Sequence, residues 1–162
     1  MVKAVSNKII AVCGSSSVDD RGAELAREVG RLIARKGCSL VCGGLSGVME
    51  ACCRGAREEG GMTIGILPGT SREDANPYVD VPIVTGLGHA RNLIIVQTAH
   101  AVIALPGGPG TLSEIALALK VGTPVVALED WDEISDIEHA STPAEAVNSA
   151  IQLASKNRGY KR

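Results

Sequence analysis

Phenylalanine is absent from this 162-residue chain, and its aromatics amount to one Trp and two Tyr. Single-stranded nucleic acid binds largely by stacking bases on aromatic faces, so that mode of binding is not expected. No charge of one sign dominates either: 16 Lys and Arg stand against 18 Asp and Glu, a net charge of −2. A nucleic-acid binder acting through a basic surface is therefore excluded as an expectation. Long hydrophobic runs are missing too. Leu93-Ile94-Ile95-Val96 is among the longest, far short of the roughly 18 residues a membrane span requires. Met1 to Lys8 contains no extended apolar stretch and does not read as a secretory signal. The five cysteines, Cys13, Cys38, Cys42, Cys52 and Cys53, include no C-x-x-C pair. Their odd number argues against a disulfide framework, and they read as small buried hydrophobes in a reducing cytoplasm.

What the chain has is aliphatic residues and glycine. At 45% hydrophobic it has too much Ile, Val, Leu and Ala for disorder. Its 19 glycines cluster instead of recurring every third residue, which excludes a collagen-like fibre. One soluble domain over residues 1–162 is expected.

Short continuous apolar runs recur along the chain: Ile9–Cys13, Ser39–Cys42, Thr63–Leu67, Ala101–Leu105 and Pro124–Leu128, the last strand expected. Continuity, as opposed to alternation, points to strands covered on both faces. Between them lie helical patterns at about 22–36, 48–59, 90–99 and 111–121, with a final one at about 142–156. Asp19 and Asp20 offer a cap to the first helix, and Gly37 a stop. Residues 79–84 form a weaker strand, which Pro82 restricts to a sheet edge or an irregular segment. Alternation of strand and helix predicts right-handed βαβ units: an α/β, single Rossmann-like three-layer domain with a mainly parallel sheet.

Ligands of such sheets sit beyond the carboxyl ends of the strands, and three strand exits here are rich in Gly or Ser. They are Gly14-Ser15-Ser16-Ser17, Gly43-Gly44-Leu45-Ser46-Gly47 and Pro106-Gly107-Gly108-Pro109-Gly110-Thr111. Each leads toward a helix N-terminus, where unpaired N–H groups and the positive dipole end favour an anion. The expected ligand is thus a small phosphorylated molecule, with phosphate at the Gly107–Thr111 turn. No Walker lysine, G-x-G-x-x-G or G-x-S-x-G motif is present. His89, His100 and His139 have no ligand spacing, so no protein-coordinated zinc is expected. Arg91 offers a planar fork for phosphate or carboxylate. Glu114 admits two readings. Thr111-Leu112-Ser113-Glu114 has the capping-box form T-x-x-E, as does Thr142-Pro143-Ala144-Glu145, yet capping and a chemical role are compatible.

These segments resemble a known group. Pro106 to Glu114 matches the P-G-G-x-G-T-x-x-E signature of the Lonely Guy-like / molybdenum cofactor carrier superfamily, formerly called lysine decarboxylase-like. Gly43-Gly44-Leu45-Ser46-Gly47-Val48-Met49 resembles its second motif, G-G-x-x-G-[LV]-M. In the phosphoribohydrolase branch an Arg and the signature Glu act on a nucleoside 5′-monophosphate and release the base. Arg91 and Glu114 match those positions and would be catalytic in that branch. That branch usually carries Arg-Lys, however, and here Asn92 follows Arg91. The segment Gly86 to Asn92 is more similar to the carrier branch. The resemblance then implies molybdenum cofactor, or a nucleoside monophosphate, as bound ligand, with the metal held by the pterin and no resident cofactor required. The ligand-binding residues expected are Gly14, Ser15, Gly43, Gly44, Gly47, Met49, Arg91, Asn92, Gly107, Gly108, Gly110, Thr111 and Glu114. A homodimer is expected as well, because Leu93–Val96 and the Leu112–Leu119 segment are apolar around more of each helix than one sheet contact needs.

Overall fold

The computed structural model describes residues 8–156. The amino-terminal stretch read above as no secretory signal lies, apart from Lys8, outside the described residues, as do residues 157–162. Among the described residues seven strands form one sheet: β1 (Ile9–Cys13), β2 (Ser39–Cys42), β3 (Thr63–Leu67), β4 (Val81–Val84), β5 (Ala101–Ala104), β6 (Val125–Leu128) and β7 (Glu138–Ala140). Their order is β4-β3-β2-β1-β5-β6-β7, and every pair is parallel. The chain winds outward from β1 to β4, then returns to place β5 on the other side of β1. That reversal is the topological switch point.

Helices α1 (Asp20–Arg35), α2 (Val48–Glu58) and α5 (Pro143–Lys156) cover one face. Helices α3 (Asn92–Thr98) and α4 (Pro109–Val121) cover the other. The apolar runs are continuous for this reason. Ile10 and Val12 enter the α1/α2/α5 core, whereas Ala11 and Cys13 enter the α3/α4 core. The α1–α2 contact is backbone to backbone: a Cβ on Gly30 would stand 2.0 Å from Cys52 O, and one on Gly55 1.9 Å from Arg27 O. Asp19 caps α1, its Oδ1 accepting from Gly22 N at 2.7 Å.

Three details depart from the sequence reading. Pro124–Leu128 is not the last strand, because β7 adds one more edge. With Glu138 and His139 exposed and only Ala140 buried, β7 carries no apolar signal to read. Residues 88–91 form a 3₁₀ turn ahead of α3, not its first turn. Helix α4 begins at Pro109, with Gly108 at its N-cap position. Thr111 is therefore inside the helix and cannot cap it, which overturns the capping reading of Thr111–Glu114. Pro82 sits in the edge strand β4, where one flank has no partner.

Candidate functional site

The exits of β1 and β5 diverge at the switch point and are stitched together there. Leu105 N donates to Cys13 O at 2.9 Å and Ser15 N to Pro106 O at 3.0 Å. The β2 exit packs on the same loop: Val48 N donates to Ser15 O at 2.9 Å and Ser46 Oγ to Ser16 O at 2.9 Å. Gly47 permits this approach, since its φ is +67° and a Cβ there would lie 2.3 Å from Ser15 O. Gly44 N is directed to Cys42 Sγ at 3.4 Å. Ser15, Gly44 and Val48 thus give their N–H groups to the protein itself.

The third exit differs. Gly108 supplies no capping side chain and Pro109, the first residue of α4, has no N–H. The N–H groups of Gly110 and Thr111 fall in the first helical turn, where no intrahelical acceptor exists. Both residues line a cavity of about 370 Å³. Its walls also include Gly14, Ser15, Met49, Arg91, Asn92, Gly108 and Glu114. Gly43, Gly44, Gly47 and Gly107 are not among its lining residues. A Cβ on Gly43 would press on Arg91 Nη2 at 2.6 Å and Met49 Sδ at 2.7 Å, and one on Gly107 would meet Thr111 Oγ1 at 2.1 Å. Cys13, Leu45 and His89 line the cavity as well, although the sequence reading did not single them out for the site. Their one signal was adjacency: Cys13 ends β1, Leu45 lies inside the second glycine motif, and His89 precedes Arg91 by two positions.

Arg91 ends the 3₁₀ turn and is 7% exposed. Its Nη1 donates to Asn92 Oδ1 and its Nη2 to Gly43 O at 3.5 Å, while the buried Nε has no protein partner. Burial lowers the pKa of this guanidinium, and the nearby Glu114 opposes the shift. Asn92 completes a bridge to α4: its Nδ2 donates to Ser113 Oγ at 3.1 Å, which donates to Gly110 O at 2.7 Å. Glu114 is 8% exposed, and burial pushes its carboxyl up to about 8 against the pull of Arg91. Near neutral pH the cavity therefore pairs a charged arginine with a protonated carboxylic acid. Among the described residues the two side chains form no ion pair. A cationic fork, two open N–H groups and the end of a helix dipole make an electropositive crevice, complementary to an anion.

A second cluster escaped the sequence reading. Cys42 at the end of β2 meets Cys52 and Cys53 of α2, all three buried. Counting C-x-x-C pairs could not find it, because the ligand-forming neighbours come from two elements that only packing brings together.

Fold and site define a Rossmann-like domain with its crevice at the switch point. The chain belongs to the SLOG cluster4 family, whose model matches residues 7–157. It is similar to the molybdenum cofactor binding protein of the phototrophic bacterium Rippkaea orientalis, with a TM-score of 0.86 and 38% identity over 93% of this chain and 99% of that one. The molybdenum cofactor carrier protein of Chlamydomonas reinhardtii superposes with a TM-score of 0.83 at 38% identity, covering 92% of this chain and 99% of the other. The cytokinin riboside 5′-monophosphate phosphoribohydrolase of Mycobacterium tuberculosis is 36% identical over 76% of this chain and 71% of its own length. The resemblance read from the glycine motifs therefore stands.

Proposed function

We propose that this chain binds a phosphorylated, nucleotide-like molecule without turning it over, and that its cargo is molybdenum cofactor. The observation that carries the reading is Asn92. At the position next to Arg91, where the phosphoribohydrolase branch places a second cation, an amide side chain is engaged by Arg91 on one side and Ser113 on the other. The segment holds one arginine rigidly and sets an amide, not a lysine, beside it. The end-to-end similarity to a cofactor binding protein and a cofactor carrier supports the same conclusion. A cavity of about 370 Å³ is within the usual range for small-molecule sites, roughly 300–1,000 Å³. The cargo's phosphate would take the N–H groups of Gly110 and Thr111 and the orphaned Nε of Arg91, while the pterin itself carries the metal.

One observation favours the hydrolytic alternative: Glu114, protonated near neutral pH in the cavity wall, has the state required of an acid that protonates a departing base. A single experiment separates the two. The purified chain is incubated with AMP and the mixture chromatographed, and the small molecules released on denaturation are identified. Intact AMP together with a phosphorylated pterin is the expected outcome. Free adenine that disappears with Glu114→Gln would overturn the carrier reading.

We infer further that the protein is a cytoplasmic homodimer. Leu112 and Leu119 of α4 are 46% and 37% exposed on the outer side of the α3/α4 layer, as an interface would require. A monomer mass by light scattering at micromolar concentration would refute this.

A further inference from the structure

The sulfur cluster behind the crevice belongs to neither reading above. Cys42 Sγ lies 3.5 Å from Cys53 Sγ, and all three sulfurs of Cys42, Cys52 and Cys53 lie within 4.8 Å of one another. Each residue is 0% exposed. Two elements impose this meeting. β2 ends at Cys42, whose Sγ accepts from Gly44 N at 3.4 Å, and α2 is held close by its glycine contact with α1.

We propose that Cys42, Cys52 and Cys53 form a buried three-thiolate site for a single Cu(I) ion. With metal–sulfur bonds of about 2.3 Å, a planar three-coordinate ion places its sulfurs about 4.0 Å apart. The Cys42 and Cys53 sulfurs stand 3.5 Å apart and no pair exceeds 4.8 Å, close enough to that figure for ligation to need only small side-chain adjustments. The donor set selects the metal. Thiolate is soft and matches Cu(I). Zinc in a structural site wants four ligands in a tetrahedron, and among the described residues no His, Asp or Glu joins these three cysteines. Octahedral oxygen-loving cations are excluded by the absence of oxygen ligands in the set. Binding is a proton exchange without electron transfer: each ligating sulfur loses its proton to solvent and gains a bond to Cu(I). Cys52 gives up its hydrogen bond to Met49 O, now 3.2 Å long. The Gly44 N–H already points at Cys42 Sγ and remains to stabilise the thiolate, as backbone N–H groups do for bound anions. Burial keeps water and oxidants from the ion.

The test uses the full chain, reduced and anaerobic, titrated with Cu(I) against the chromophoric chelator bicinchoninate. One Cu(I) per chain should be withheld from the chelator, with a sulfur-to-copper band appearing in the near ultraviolet. Cys42→Ser and Cys53→Ala should each lose the withheld copper. Cys38→Ser, at the other end of β2, should keep it. Circular dichroism of each variant shows that it is folded, and either of the two loss variants suffices if the other fails to fold. Copper withheld equally by wild type and a folded Cys53→Ala protein would overturn the proposal. So would a reduced wild type that withholds none, or one that binds Zn(II) in preference.

Discussion

Thr111–Glu114 and Thr142–Glu145 carry the same T-x-x-E spacing near the start of a proline-led helix, yet they do different things. In α5 the motif is a cap. Glu145 N donates to Thr142 Oγ1 at 3.2 Å, and Glu145 Oε2 accepts from Ser141 N at 2.8 Å. In α4 the helix starts earlier, at Pro109, so the threonine lies one turn inside and the glutamate lines the cavity. Aligned on their prolines, α4 has Gly108 where α5 has Thr142, and Gly110 where α5 has Ala144. One helix start is closed by side chains. The other is left open, forgoing a cap worth about 1 kcal/mol, and its Gly110 and Thr111 line the cavity. A capping motif caps only when its threonine stands at the boundary, and the boundary is set by what precedes it.

The comparison can be broken most forcefully through pH. Folded Glu114 titrates at about 8, against about 4.3 for an unfolded glutamate. Between these values the native chain holds a proton that the unfolded chain has lost. The stability contribution is therefore complete at low pH and is lost as pH rises toward 8, by up to about 1.4 kcal/mol per unit. Urea unfolding from pH 5 to pH 8 should show this decline in the wild type and remove it in Glu114→Gln. The gap between them at the alkaline end is expected to be on the order of a few kcal/mol. Equal pH slopes in wild type and Glu114→Gln would show that burial does not hold the Glu114 carboxyl protonated.

Arg91→Ala tests the crevice itself. Loss of a buried charge that meets an anion should weaken AMP binding about a hundredfold, roughly 3 kcal/mol, as read by calorimetry. Affinity within a few-fold of wild type would move the ligand elsewhere. Thr142→Ala should lower stability by about 1 kcal/mol and leave AMP affinity alone, which chemical denaturation and the same calorimetry would measure. The smallest effect is expected at Gly110, where an added Cβ meets nothing within 4 Å. Gly110→Ala, copying Ala144, should stabilise the fold by about 0.5 kcal/mol while obstructing the cavity. A tighter AMP complex in that variant would contradict the open-start account.

Much of the architecture was legible because parallel strands buried on both faces leave continuous apolar runs, and β1, β2 and β3 fall within the residues those runs predict. Arg91, Glu114 and the third glycine turn could be singled out because glycine at a strand exit and a planar cation are local statements of chemistry, and Asn92 because its segment resembles the carrier branch. Where β7 lies was not legible: an exposed edge strand buries only Ala140 and so leaves no hydrophobic period. The sulfur cluster was hidden for a related reason, since Cys42 and Cys53 are eleven positions apart in the chain and meet at 3.5 Å only when α2 packs on β2.

The sequence alone therefore determined the layered α/β class, the strand exits that form the candidate crevice and the residue types offered there, because these depend on period and local backbone freedom. Tertiary structure alone decided which T-x-x-E is a cap, which glycines line the cavity and which do not, and that burial pushes the Glu114 carboxyl up to about 8. Each of those depends on where a group is buried and what lies across from it. Burial and through-space neighbours arise only when segments distant in the chain are brought into contact.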